Sequence, residues 1–480
     1  MNSKDPLTSS SSTTPLSEPE NNDYFAQRQL KQGAVGWLLL VGLGVAYVIS
    51  GDFAGWNFGI AQGGWGGMFI ATIVVAFMYL CLCLAMSEMA TMLPTAGGGY
   101  SFARTAFGPF GGYLTGTAIL IEYAIAPAAI AVFIGAYCES LFGIGGWVIY
   151  LICYLVFMAI HLKGAGEALK LMFIITAIAA VALVVFIVSM IPHFNAQNLF
   201  DIPAGNQVGA NSFLPLGYLG IWAAVPYAIW FFLAVEGVPL AAEEAKDPAK
   251  SLPRGLIGSM LILATFALLI LFLGAGAAGA SHLQNSGAPL VDALVKVYGQ
   301  GTWLATFVNF VGLAGLIASF FSIIYAYSRQ MFALSRAGYL PTSLSLTNKN
   351  KAPYLAIIIP GILGFILSLT REGDLLILIA VFGATISYVL MMLSHIKLRQ
   401  SRPNMHRPYK TPGGIITSGI ALVLALFAVI AGFVVNPKVW LISLAIYLIF
   451  ILYFFIYSRH HLIKGTPEEE FANIQNSEIK

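Results

Sequence analysis

Charge is what this sequence has least of. Only 9% of its 480 residues are Asp, Glu, Lys or Arg and 58% are hydrophobic, whereas a soluble globular domain carries about 25% charged residues. Such a chain cannot cover its surface with polar groups in water. It can do so in lipid, where the outer surface is apolar. The net charge is only +3, and the basic residues lie between apolar runs instead of clustering, which leaves no nucleic-acid footprint. Cysteine is scarce as well. Cys81, Cys83, Cys138 and Cys153 all sit in apolar stretches and read as small buried hydrophobes with no disulfide framework. The histidines fall in loops or near the ends of apolar runs, without metal-ligand spacing inside a run. A Walker-type phosphate loop is lacking, which disfavours ATP-driven pumping. No nucleophile–base constellation is present, so an enzyme is not expected, and neither is a metal or cofactor. Residues 1–24 are rich in Ser and Thr and lack an apolar centre, so they read as a disordered segment and not as a signal peptide.

Long apolar runs are what the sequence does have. With about 20 apolar residues needed per crossing, the chain divides into spans at 33–62, 66–92, 108–138, 143–162, 168–191, 217–244, 254–278, 302–334, 353–370, 374–397, 414–434 and 437–458. With the N-terminus cytoplasmic, every Lys and Arg of the 24 falls inside except Lys296, Arg371 and Lys438. A wrong span count would scramble that asymmetry. Two long outer stretches remain, 192–216 and 279–301, the second with an amphipathic piece around Val291–Tyr298. They read as connectors or as cover for a vestibule. The expectation is an all-α integral membrane protein of about twelve helices with both ends on one side.

Two of these spans are interrupted. The first contains Ser50-Gly51-Asp52-Phe53-Ala54-Gly55, an acid between glycines in the middle of an apolar run. The sixth contains Trp230-Phe231-Phe232-Leu233-Ala234-Val235-Glu236-Gly237. A carboxylate at membrane depth is costly unless paired or hydrated, and glycine weakens the helix beside it. Paired interruptions in corresponding positions of two halves point to a transporter site, because the freed backbone groups must bind something. A third acid, Glu122, lies on the mostly small stripe Gly112, Thr115, Ile119, Glu122 and Ala126. It reads either as a carboxylate facing a central cavity or as a hydrogen-bond anchor for a neighbouring helix. Glu88, near the inner end of the second span, reads as structural or gating. The aromatic rings around the breaks suit an ammonium group, since ring faces attract cations.

Three stretches resemble the amino acid–polyamine–organocation (APC) permeases. They are Ser87-Glu88-Met89-Ala90 with Gly97-Gly98-Gly99-Tyr100, then Phe231 through Pro253 with Glu243-Glu244-Ala245-Lys246-Asp247-Pro248, then Ser328-Arg329-Gln330-Met331-Phe332-Ala333-Leu334. The resemblance implies a five-plus-five inverted repeat with two appended helices and alternating access around the first and sixth. The segments are then a cytoplasmic N-terminus (1–32), a first repeat (33–192), a second repeat with its preceding outer loop (193–397), the last two helices (398–458) and a cytoplasmic tail (459–480). Amino acid members carry a Gly-Ser-Gly turn in the first helix for the substrate carboxylate. Gly55, Trp56 and Asn57 stand there here, and Asp52 precedes them. That pattern is similar to the ethanolamine permease subgroup, whose substrate lacks a carboxylate.

The sequence therefore leads to a permease importing ethanolamine or a related small amine across a bacterial inner membrane. The expected substrate-binding residues are Ser50, Gly51, Asp52, Phe53, Ala54, Gly55, Glu122, Trp230, Phe231, Phe232 and Ala234. By resemblance Trp230 stacks over the solute and Glu236 belongs to coupling. Ser319 and Ser322 read either as hydroxyls for a cation site, with a coupling or gating role, or as groups that cap helix packing. Coupling to a proton or to sodium stays open; the lysine that some relatives place on the fifth helix is missing from Ile178-Ala179-Ala180. Oligomeric state is also open. The rivals are an amino acid or polyamine permease of the same fold and a membrane-embedded amine sensor.

Overall fold

Backbone polar groups at membrane depth have no water to bond, and this chain meets that demand with helices. The computed structural model describes residues 35–463. The N-terminal segment expected to be disordered, and most of the C-terminal tail, lie outside the described residues. In chain order the helices are α1 Trp37–Val48, α2 Ser50–Phe53, α3 Asn57–Met92, α4 Gly99–Phe142, α5 Trp147–Leu162, α6 Ala165–Met190, α7 Gly217–Trp230, α8 Pro248–Ala278, α9 Ala280–Leu283, α10 Pro289–Tyr298, α11 Trp303–Arg336, α12 Tyr354–Ser368, α13 Gly373–Ser401, α14 Ile415–Val435 and α15 Pro437–Ile456.

Each expected span has its helical counterpart among them. Two helices run longer than one crossing because each continues through a glycine bend. α3 bends at Gly64 (φ 69°), which joins the outer half of the first span to the second. α4 bends at Gly108 (φ 76°), which joins a short lead-in helix to the third span. At Gly64 a Cβ would also lie 2.2 Å from the Pro215 ring, so space and backbone conformation both require glycine there. The long outer stretches are folded: Ile191–His193 and Ala196–Phe200 form 3₁₀ turns, and the expected amphipathic piece is α10. All four cysteines are buried and free.

Both interruptions exist, but each is displaced from its acid. The first span stays helical through Ser50–Phe53, and the Ala54 N–H still donates to the Ser50 carbonyl (3.0 Å). The chain opens only at Ala54, Gly55 and Trp56, with Ala54 extended and Gly55 at φ 98°. Asp52 therefore sits in a helical turn and not in freed backbone. In the sixth span α7 stops at Trp230, and Phe231–Ala234 form a turn that ends with Ala234 at φ 79°. The chain then continues as a 3₁₀ helix, Val235–Glu244, which carries Glu236 and Gly237. Local helix propensity marked the right neighbourhoods. The break points themselves follow from how closely the two spans approach.

Candidate substrate site

That approach explains the glycines. The Gly51 backbone lies against the end of α7, and a Cβ there would meet the Trp230 carbonyl oxygen at 2.5 Å. At Gly55 a Cβ would meet the Trp230 ring nitrogen at 2.6 Å. Gly51 is thus a close-packing residue and Gly55 a turn residue that also packs. The Trp230 indole N–H donates to the freed Ala54 carbonyl (3.0 Å), and the Tyr137 hydroxyl donates to the Phe53 carbonyl (2.9 Å). Side chains on α7 and α4 thereby occupy the acceptors that the first break exposes.

Between the breaks and α11 lies a void of about 160 Å³, lined by Tyr47, Val48, Ser50, Trp230, Leu233 and Ile323, in which no water-sized sphere fits. The lining carries no charged side chain. Ser319 of α11 fixes its floor: it donates to the Tyr47 carbonyl (2.7 Å) and accepts from the Ser50 hydroxyl (2.9 Å). Ser322 instead donates to the Ala318 carbonyl of its own helix (2.6 Å). Phe53 packs its ring against Gly312 and Gly315 of α11 and is not among the residues lining the void.

The aromatic residues divide. Phe231 stacks on Trp56 (centroids 5.9 Å apart), whereas Phe232 lies against Tyr79 (5.4 Å). Neither lines the void. They hold the sixth-span turn between α3 and the first break. Phe133 meets Trp230 edge-on at 6.3 Å and backs its ring.

The three acids of the broken spans and α4 do not sit at one place. Ser50 and Phe53 turn toward α11, and Asp52 points to the other side of the same turn. It is fully buried, and neither carboxyl oxygen has a hydrogen-bond partner among the described residues. Glu122 instead meets Glu236: the two carboxyl groups face one another. Glu236 accepts from the Tyr388 hydroxyl (3.1 Å), which lies 2.7 Å from that of Tyr79. Neither Glu122 oxygen has a donor. A buried pair of carboxyls thus joins α4, the 3₁₀ half of the sixth span, α13 and α3, separate from Asp52. Both Asp52 and Glu122 lie outside the void's lining.

Sequence reasoning missed Tyr47, Val48, Leu233 and Ile323 in the lining, and Tyr137, Asn57 and Tyr388 around it. Tyr47 stands three residues before Ser50, on the same helix face, so helical spacing was enough to find it. Tyr388 lies on a distant helix and gave no local signal. In the sequence Asn57 marks only a departure from the Gly-Ser-Gly turn. Its side chain does more: Oδ1 accepts from the Gly55 N–H (3.2 Å), and Nδ2 donates to the Leu283 and Ser286 carbonyls (2.8 Å each). It ties the first break to the outer loop that carries α9.

The comparisons with known proteins agree with this architecture. A family model described as amino acid permease matches residues 36–456. An uncharacterized transporter, R00093 of Rhizobium meliloti (strain 1021), is 28% identical over 404 residues, covering 82% of this chain and 85% of that protein. The branched-chain amino acid permease BcaP of Bacillus subtilis (strain 168) is 27% identical over 451 residues, covering 88% and 92%. The D-serine/D-alanine/glycine transporter of Escherichia coli (strain K12) is 24% identical over 420 residues, covering 83% and 84%. With broken first and sixth spans packed on one another, and a family match over nearly all the described residues, the chain is a multi-pass membrane transporter and belongs to the amino acid permease family of the APC superfamily.

Proposed function

We propose that this chain carries a small neutral α-amino acid across the membrane by alternating access. The observation that carries the reading is the uncharged void between the breaks, set among opposed helix ends. The C-terminal ends of α2 and α7 meet there, and such ends favour an ammonium group. α3 begins just beyond Gly55 without a side-chain cap, and an uncapped helix start favours a carboxylate. A zwitterion matches both charges. The apolar lining from Val48, Leu233 and Ile323 suits a small aliphatic side chain and offers nothing to a second charge. The names of relatives for branched-chain amino acids and for D-serine, D-alanine and glycine support the same class.

One observation favours a second reading, a carboxylate-free amine such as ethanolamine. Asn57 already occupies the Gly55 N–H, one of the donors a carboxylate needs. The first reading stands if the solute's carboxylate displaces the Asn57 amide. In either case Trp230 must release the Ala54 carbonyl before an ammonium can take it. The repeat division 33–192 and 193–397, the inner-membrane location, the cytoplasmic ends and coupling through the Glu122–Glu236 pair belong to the same proposal.

The test is counterflow in proteoliposomes with labelled leucine, alanine and ethanolamine, competed by arginine and putrescine. Exchange of the neutral amino acids, weakly competed by arginine and putrescine, is expected. Exchange of ethanolamine alone selects the second reading. Binding without exchange makes the protein a sensor.

A further inference from the structure

Away from the substrate site, a cavity of about 720 Å³ opens between the start of α1, the start of α8 and the loop after α13. Its walls are apolar: Trp37 and Val41 from α1, Ile257 and Leu261 from α8. Trp37 and Leu261 are each about half exposed (48% and 53%), so protein does not cover this face among the described residues. At one end stand Lys250 and Arg254. Lys250 forms a loose, exposed pair with Asp247 (3.7 Å). Arg254 is exposed and has no hydrogen bond or ion pair among the described residues. The trio keeps a net positive charge.

The geometry points to a binding site for one anionic phospholipid, with its phosphate on Arg254 and Lys250 and an acyl chain along Trp37, Val41, Ile257 and Leu261. The dimensions fit. From Arg254 to Leu261 helix α8 rises about 10 Å, most of a leaflet's hydrocarbon depth of about 15 Å. The chemistry also fits, because an arginine fork binds phosphate and the apolar wall offers nothing to a soluble anion. The basic end lies on the face where Lys and Arg concentrate in the sequence, the side on which anionic headgroups attract them. This inference does not depend on which solute is carried.

The full-length protein, purified in mild detergent, is exchanged against mixtures of phosphatidylglycerol and phosphatidylcholine. Retained lipid is then counted by native mass spectrometry. The expected preference for phosphatidylglycerol is about 30-fold, the factor that two basic side chains supply near an anionic surface. Lys250→Gln with Arg254→Gln is expected to bring it near unity, with the thermal unfolding midpoint unchanged as the control for folding. A photoreactive group at Val41, with both basic residues intact, is expected to label an acyl chain. Equal retention of the two lipids overturns the proposal, as does a preference untouched by the double substitution. A Val41 crosslink to residues 1–34 in place of lipid overturns it too.

Discussion

The acids within the helix bundle fall into two groups. In the first group each acid holds arginine. Glu88 accepts from Arg399 and Arg407 (each Nε at 2.9 Å) and from the Thr411 N–H (2.7 Å), with His395 at 3.4 Å. Glu243 pairs with Arg336 (2.7 Å) and accepts from the Ala96 N–H (2.9 Å). Glu244 pairs with Arg329 (3.0 Å) and accepts from the Tyr325 hydroxyl (2.9 Å). At the centre no acid holds an arginine: Asp52 has no hydrogen-bond partner among the described residues, Glu122 faces Glu236, and Glu236 accepts from Tyr388. The paired acids tie elements together, α3 to α13 and the sixth span to α11. The central acids hold no cation, and an unpaired acid at membrane depth is costly enough that its retention signals a role. The arginine-paired group is therefore a latch between elements, whereas the central group has no such cation.

The comparison breaks most visibly at Glu88. Glu88→Gln leaves two guanidinium groups without their anion, and removing one partner of a buried pair costs about 3–5 kcal/mol. A large fall in the unfolding midpoint in detergent is expected, and an unchanged midpoint contradicts the latch. Next in size is the Arg329–Glu244 pair. Glu244→Leu and Arg329→Met should each cost about 3 kcal/mol, and the double variant should regain much of that. A double-mutant cycle on the unfolding midpoint measures it, and simple additivity argues against a pair. Smaller again is Trp230→Phe, which keeps the ring and loses the bond to the Ala54 carbonyl. One neutral hydrogen bond is worth about 1 kcal/mol, so the half-saturation for counterflow should change by about fivefold. No change means that the bond does not compete with the solute.

The twelve spans were legible because membrane depth fixes helix length and the Lys and Arg asymmetry fixes their number. The neighbourhoods of both breaks were legible from Gly51, Gly55 and Gly237 beside acids. Their positions were not. Gly51 packs on the Trp230 carbonyl, a contact between residues 179 apart in the numbering, and nothing local reports it. The same reason hid Ile323 and Tyr388, which reach the site from α11 and α13. Asp52 lies apart from the void for a simpler cause: two positions along a helix turn a side chain to the opposite face, so Ser50 can face the void while Asp52 does not.

Asp52 carries the smallest expected effect and the sharpest choice between substrates. A carboxyl without donors contributes no bond that asparagine would lose, and the volume is nearly the same. Asp52→Asn should not lower the unfolding midpoint, because it breaks no hydrogen bond and removes an acid that is costly to bury unpaired. If the solute is a zwitterion held by helix ends, the half-saturation should stay within about twofold, because Asp52 is outside the lining and its charge acts only across intervening side chains. If the solute is a bare ammonium that depends on this acid, burying it without its counter-charge costs several kcal/mol, and counterflow should collapse while the protein still inserts. Counterflow of alanine and of ethanolamine on this one variant therefore tests whether the central acids act on the solute, as the sequence pattern suggested, or apart from it, as their orientation indicates.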